Sequence, residues 1–133
     1  MTHRVYRFDT TERNPPDGPF GHLDVRWTIG AHTGAELVAF GRSTYPRGAT
    51  HPNHYHPNAD EVVMVLSGRG VQIVGPDALE VGPGDVCFIP RQTPHRITGG
   101  SDEDLVILWA FGGAADLDTA GYVEIPDETK EVS

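Results

Sequence analysis

The sequence predicts an all-β domain, and two observations support this prediction. First, Gly and Pro account for 16 and 11 of the 133 residues, and they recur between short apolar segments. That pattern is typical of many strands joined by tight turns. Second, the segments are rich in Val, Ile, Phe, Tyr and Trp, which favour a pleated, half-buried surface. No amphipathic helical period extends beyond about two turns. We therefore expect a β-sandwich or a β-barrel.

Ten strands are predicted in chain order, each bounded by turn residues. They span 22–30, 35–45, 51–56, 61–67, 70–74, 78–81, 85–90, 95–98, 104–111 and 121–125. Pro and Gly in 75-GPDA-78 and 82-GPGD-85 set turns between neighbouring strands. A short helical turn is expected within 114–121, so the class stays all-β.

Period-two alternation gives two candidate sets of residues for the barrel interior. On the strand 104–111 one set is Leu105, Ile107, Trp109 and Phe111. On 36–43 one set is Glu36, Val38, Phe40 and Arg42. Either set is a candidate lining, and members close to a binding site are expected to form an apolar pocket wall.

The length of the chain fits one domain. Residues 1–21 are predicted to form an N-terminal arm or edge strand, 22–126 the barrel, and 127–133 a flexible tail. The arm carries enough apolar side chains to cover a sheet edge in a second copy, which predicts a homodimer. A strand added to its own barrel is an equally good interpretation of the arm.

Composition and charge argue against nucleic acid and membranes as partners. The net charge is −9, and the ten basic residues are scattered, whereas nucleic-acid binding needs a basic patch. The longest apolar runs are too short to span a bilayer, and the first residues lack the apolar core of a signal peptide. The single cysteine, Cys87, suits a reducing compartment and is expected to act as a small buried apolar residue. We expect a cytoplasmic protein with neither nucleic acid nor membrane as partner.

The stretch 48-GATHPNHYHPNADEVVMVLSG-68 carries the main chemical signal. His54 and His56 are two residues apart, so on a strand they point to the same face, and Tyr55 between them points away. Turn formers follow at 57–60, and 61–67 is predicted as the returning strand of a hairpin. Glu61 would then face both imidazoles across the turn.

A second strand-turn-strand unit at 84–99 brings a further histidine, His95. Imidazoles and a carboxylate that converge from a rigid sheet are typical ligands of a divalent transition metal. Taken singly, each histidine is better explained as a surface residue beside prolines. The combined spacing and the second unit favour a metal site formed by His54, His56, Glu61 and His95.

These segments resemble the two motifs of the cupin superfamily. The first motif, G-x5-H-x-H-x3,4-E-x6-G, is matched at every spacing by Gly48, His54, His56, Glu61 and Gly68. The second motif, G-x5-P-x-G-x2-H-x3-N, is matched by Gly84, Pro90 and His95. It departs at Gln92, where the family often has glycine, and at Gly99, where it often has asparagine. Both departures fall at turn positions and put only the local turn geometry in doubt.

The resemblance implies a double-stranded β-helix, the jelly-roll barrel of cupins. It implies one divalent metal per chain (iron, manganese, nickel, copper or zinc) inside the barrel, held by His54, His56, Glu61 and His95. His51, three residues before the first ligand, is a candidate catalytic base or second donor near the metal, and a solvated loop histidine is the alternative. Arg42, Arg91 and Arg96 are weaker candidates for a substrate carboxylate.

Cupins include enzymes and binding proteins, so the fold does not decide the function. The expected function is that of a metal-dependent enzyme. It would act on a small oxygenated molecule by metal-stabilised enolate chemistry, as a dioxygenase or as a cyclase, isomerase or decarboxylase of a biosynthetic pathway. The alternative is a non-catalytic module that binds a metal or a small ligand. The identity of the metal, together with an oxygen-uptake screen on β-diketones, catechols and hydroxyquinones, would distinguish these functions.

Overall fold

The computed structural model describes residues 4–126 and contains ten strands and one short helix. The strands are β1 (Asp24–Ile29), β2 (Val38–Tyr45), β3 (His54–Tyr55), β4 (Asp60–Ser67), β5 (Gly70–Val74), β6 (Asp77–Val81), β7 (Val86–Ile89), β8 (His95–Gly99), β9 (Leu105–Gly112) and β10 (Val123–Glu124). The helix α1 (Leu117–Ala120) lies within the predicted helical turn. Each predicted strand corresponds to one observed strand, with differences at the ends.

Two five-stranded sheets form the domain. One has the strand order β1-β2-β9-β4-β7 and the other β10-β3-β8-β5-β6, and the paired strands are antiparallel. Both sheets turn apolar side chains toward a shared core, including Val63, Ile97 and Leu105. The all-β class and the jelly-roll arrangement predicted from the sequence are confirmed.

The predicted hairpin between 54–56 and 61–67 is wrong. Strand β3 pairs with β8 and β10, whereas β4 pairs with β9 and β7. The turn that begins at Pro57 therefore carries the chain from one sheet to the other. The segment between β7 and β8 does the same, because these strands also belong to different sheets. Each ligand-bearing segment is thus a corner of the jelly roll.

The interior set predicted on β9 is confirmed, because Leu105, Ile107, Trp109 and Phe111 are all buried. The set proposed on β2 faces outward instead, and its neighbours of opposite parity, such as Ala39 and Ser43, face the core.

The outward set on β2 is partly covered by the N-terminal arm. The ring of Phe8 lies 5.8 Å from that of Phe40, and the guanidinium of Arg42 lies 5.0 Å from the Phe8 ring. A local pattern could not show that the arm supplies apolar contacts to this outer face.

The arm runs beside β1 of its own chain. Its described residues, 4–21, contain one 3-10 turn, Phe8–Thr10, and no strand. The backbone N–H of Asn14 donates to the carbonyl of Val25 at 2.8 Å, and Arg26 donates to the carbonyl of Thr11 at 2.9 Å. The predicted flexible tail, 127–133, lies outside the described residues.

Gly41 allows Trp109 to pack against β2. A Cβ at Gly41 would overlap the Trp109 ring and lie 2.6 Å from the carbonyl oxygen of Arg26. We expect Gly41→Ala to lower the free energy of unfolding by about 2 kcal/mol or more, because a packed core does not absorb overlap cheaply. Gly112→Ala is the control, since its Cβ meets nothing within 4 Å. Urea titrations that place both variants at the same stability would contradict this packing.

Candidate metal centre

The three predicted histidine ligands come together inside the barrel. His54 and His95 are paired residues on the neighbouring strands β3 and β8, and His56 follows β3 with the same inward parity as His54. All three side chains are buried. One ring nitrogen from each lies within 4.8 Å of the others, which is close enough for a small adjustment to bring all three onto a single ion.

Backbone carbonyls fix the tautomer of each imidazole. Nδ1 of His54 lies 2.8 Å from the carbonyl oxygen of Pro52, Nδ1 of His56 lies 2.7 Å from that of Gly121, and Nδ1 of His95 lies 2.9 Å from that of Thr93. A carbonyl oxygen can only accept, so each Nδ1 carries a proton and donates it. In the neutral form of each ring the Nε2 lone pair is then available to a metal ion.

Glu61 places a carboxylate against two of these lone pairs. Its Oε1 lies 3.3 Å from Nε2 of His56 and 3.1 Å from Nε2 of His95. The same oxygen is buried and has no hydrogen-bond partner. A carboxylate oxygen facing two imidazole lone pairs is an arrangement of acceptors only, and it requires a cation between them, either a proton on a ring or a metal ion.

This donor set fits a divalent transition metal. Imidazole nitrogens suit zinc, copper, iron and nickel, and the carboxylate adds an oxygen ligand that manganese also accepts. The structure thus brings together all four predicted ligands. Glu61 reaches them from β4 in the opposite sheet rather than across a hairpin.

The pKa values of two histidines in the cluster shift in opposite directions. Burial and the neighbouring imidazoles of His95 and His51 lower the pKa of His54 to about 3. Burial opposes the charged form of His95 too, but the adjacent carboxylate of Glu61 raises its pKa. Without a metal, the cation that Glu61 requires is therefore a proton on His95.

His51 is held by two backbone groups. Its Nδ1 donates to the carbonyl of Pro52 at 2.9 Å, and its Nε2 accepts from the backbone N–H of Ile97 at 3.1 Å. The side chain is buried rather than solvated, and burial lowers the pKa of His51 to about 4. These contacts position the segment before β3 against β8. The catalytic role predicted for His51 stays a prediction, and in this arrangement neither ring nitrogen is free to take a proton.

The turns of the two motifs are joined by a hydrogen bond. The backbone N–H of Gln92 donates to the carbonyl of His56 at 2.9 Å. Gln92 stands where the family motif often has glycine, and its φ of 67° lies in the left-handed region. A side chain in this region costs about 1 kcal/mol or more. The departure from the motif is therefore accommodated with strain in the turn and without loss of the bond to the ligand segment.

Tyr55 lies between two ligands and outside the cavity. It is half-buried, and it does not belong to the residues that line the metal cavity. We expect Tyr55→Phe to leave metal content and activity within about twofold of the parent, because the change removes one oxygen remote from the site. Metal analysis beside a turnover assay checks this, and a loss comparable to that of a ligand variant would show a wrong strand register.

An apolar cavity of about 110 Å³ adjoins the four candidate ligands. Aromatic side chains form much of its wall, and Trp27 and Trp109 meet edge to face with ring centroids 4.6 Å apart. Four polar residues of the wall were missed by the sequence reasoning, namely Ser43, Tyr45 and Gln72 on strands and Asn14 in the arm. For the residues on strands, the signal in the sequence was a polar side chain at a position that alternation directs toward the interior.

The other sequence candidates lie away from this cavity. Among the described residues, no arginine lines it. Arg91 instead pairs with Asp60, with Nε 3.3 Å from the carboxylate oxygen. Cys87 packs against the edge of the core, and burial followed by the charge of Glu61 raises the pKa of its thiol. Both observations fit structural roles.

Residues 41–111, which include both motifs and strands β3 to β8, match the family described as the cupin domain. The chain belongs to the cupin family. A curated relative, an uncharacterized protein of Methanocaldococcus jannaschii, is 35% identical over 63 residues, which make up 47% of this cupin and 50% of that protein. This cupin therefore matches about half the length of the curated relative.

Solved structures share the fold at low sequence identity. The polyketide cyclase RemF from Streptomyces resistomycificus superposes with a TM-score of 0.77 at 19% identity, over 99% of this chain and 94% of that one. Oxalate oxidase in complex with the substrate analogue glycolate superposes with a TM-score of 0.69 at 20% identity, over 86% of this chain and 60% of that one. A predicted oxalate decarboxylase from Thermotoga maritima superposes with a TM-score of 0.71 at 23% identity, over 82% of this chain and 98% of that one. This cupin thus has the fold of several enzymes.

Proposed function

We propose that this cupin is a metal-dependent enzyme that acts on a small oxygenated organic molecule. The observation that carries the proposal is the position of Glu61 Oε1, buried without a hydrogen bond and 3.1 Å from Nε2 of His95. Such an arrangement is costly unless a cation occupies it. When bound there, a divalent metal supplies Lewis-acid stabilisation of an anionic substrate oxygen.

The residues of this chain would hold the candidate ligands in position and exclude water from the bound substrate. The carbonyl of Gly121 fixes the His56 ring from behind, and the Phe111 ring packs 4.8 Å from it on the cavity side. Trp109 and Ile97 extend the apolar wall. A substrate with its oxygens at the imidazoles would therefore have its carbon skeleton in a dry environment, where electrostatic interactions are stronger.

The size of the cavity limits the substrate. A cavity of about 150 Å³ is enough for a benzene molecule, and this one measures about 110 Å³. A short acyclic compound fits better than a single ring, and fused rings fit worst. Oxidation with dioxygen and oxygen-independent isomerisation, cyclisation or decarboxylation are the two reaction classes that the proposal includes.

Two measurements test the proposal. The first is metal analysis of protein purified without chelators, and the second is consumption of β-diketones, 2-oxo acids, catechol and a fused-ring hydroxyquinone, each with and without oxygen. We expect about one divalent metal per chain and turnover of the short compounds first. Protein that binds no transition metal would refute the proposal. Metal-loaded protein that binds the short compounds without converting them would instead be the binding module considered as the alternative.

The remaining partner predictions stay predictions. Within residues 4–126 no helix is long and apolar enough to cross a membrane. The homodimer and the cytoplasmic location expected from the sequence are not needed for the site, because all four candidate ligands come from one chain.

A further inference from the structure

The cavity has a second set of polar groups besides the candidate metal ligands. We call Ser43, Tyr45 and Gln72 the distal cluster, and all three line the same cavity. Ser43 pairs with Ile107 on β9, four residues from Phe111, which pairs with Glu61. At about 3.3 Å per residue, Ser43 lies about 13 Å along the sheet from Glu61.

Gln72 reaches the cavity from the other sheet. It pairs with Ile97, two residues beyond His95 on β8, so it lies about 7 Å along the strands from the level of His95. One ligand-sized space thus lies between the metal ligands at one end and polar side chains of both sheets further along the barrel.

Gln72 presents an acceptor that has no partner. Its side-chain amide donates from Nε2 to the carbonyl of Arg96 at 3.1 Å and approaches that of Ile73 at 3.4 Å. Both partners are carbonyls, so the amide cannot be flipped without opposing acceptors. The residue is only 1% exposed, and its Oε1 is buried without a hydrogen bond.

Ser43 and Tyr45 present donors. The indole Nε1 of Trp109 donates to Oγ of Ser43 at 2.9 Å, which leaves the hydroxyl proton of Ser43 free. Tyr45 is buried and lines the same cavity. Burial, assisted by the charge of Glu61, raises the pKa of Tyr45, so the phenol stays protonated.

We propose that the distal cluster binds a hydroxyl group of the substrate, remote from the oxygens held at the metal ligands. A hydroxyl both donates and accepts, so it donates to the Gln72 oxygen and accepts a hydrogen bond from Tyr45 or Ser43. A carbonyl cannot donate to Gln72, and a methyl group leaves both the Gln72 oxygen and the hydroxyl protons of the cluster without a partner. This inference rests on the proposed function and defines its substrate class as short oxo acids or ketones with a further hydroxyl.

The test compares two probes that differ by one hydroxyl, 2-oxobutanoate and 4-hydroxy-2-oxobutanoate. Their affinities are measured by calorimetry on the protein loaded with zinc, which has no redox chemistry. We expect the hydroxylated probe to bind about tenfold more tightly, because a site built for a hydroxyl rejects the analogue that lacks it.

Two variants and one control locate the preference. Tyr45→Phe removes one oxygen, and Gln72→Met removes the amide while keeping the length of the side chain. Either change is expected to reduce the preference to within about twofold, with zinc content unchanged. Tyr55→Phe makes the same chemical change outside the cavity and is expected to keep the full preference.

The outcomes separate this inference from the proposed function. Equal affinities of the parent protein for the two probes would overturn the hydroxyl subsite and leave the cluster as a site for buried water, as would retention of the preference by both Tyr45→Phe and Gln72→Met. Zinc-loaded protein that binds neither probe would also overturn it. If the parent binds no zinc, the proposed function fails, and the same comparison on chelated protein tests the distal cluster by itself.

Discussion

Alanine at His54, His56 or His95 is expected to lower metal affinity by at least about 100-fold. Even partners that only orient a ligand cost 10- to 100-fold when removed, and each of these rings presents a free Nε2 from a position fixed by a backbone carbonyl. The fold is expected to persist, because the core between the sheets includes many apolar residues remote from the site. The measurement is metal analysis beside circular dichroism.

The control is a histidine outside the cavity. His32 is exposed and contributes no wall to the metal cavity, so His32→Ala is expected to keep full occupancy. Glu61→Gln keeps the shape of the fourth candidate ligand and removes its charge, and we expect an intermediate loss of affinity. Full metal occupancy in two of the three histidine variants would show that these residues are not the ligands.

The sequence was sufficient for the strands and for placing the two histidines at 54 and 56 on one face, because both are encoded locally. Alternation and turn residues define each strand, and His54 and His56 share a face by their spacing alone. The sheet to which each strand belongs is not encoded locally. Pro57 marks a turn equally well whether the chain returns along β3 or crosses to the opposite sheet, so the predicted hairpin was wrong although Glu61 still reaches His56.

Two features depend on contacts between segments that are distant in the sequence. One is which face of β2 points outward, and the other is the distal cluster. Phe40 is an apolar residue on an apolar strand, and only the contact with Phe8 shows that its face is the outer one. Gln72 lies on β5 and Tyr45 on β2, in different sheets. Their common cavity therefore follows from the closure of the barrel, and a single strand gives no indication that an acceptor on one sheet faces a donor on the other.

Chelated protein is expected to stay folded at neutral pH but to melt about 10 °C below the metal-loaded form. A ligand present at about 100 times its dissociation constant stabilises the native state by about 2.7 kcal/mol. For a domain of this length that corresponds to a shift of this size in Tm. The measurement is a pair of melting curves with and without chelator at a fixed metal concentration. Identical melting temperatures for protein shown to be metal-free and metal-loaded would contradict a metal site in the folded protein.

The chelated protein is further expected to lose stability as the pH falls from about 6.5 to 4.5. Burial lowers the pKa of His54 to about 3 and that of His51 to about 4, whereas both titrate near 6.5 in the unfolded chain. Between these values the unfolded state binds more protons, so the free energy of unfolding decreases as the pH falls. His95 has the opposite sign, because its raised pKa contributes stability below about pH 6.5 that is lost as the pH rises through its folded value.

Two residues with lowered pKa outweigh one with raised pKa, so we expect Tm of the chelated protein to fall by about 10 °C between pH 7 and pH 4.5. His54→Gln removes one of the two titrating groups and is expected to flatten this dependence. His32→Ala removes an exposed imidazole and is expected to keep it. A melting temperature that is independent of pH across this range would mean that His51 and His54 are as accessible to protons in the folded chain as in the unfolded one, and the buried imidazole cluster could then not exist in solution.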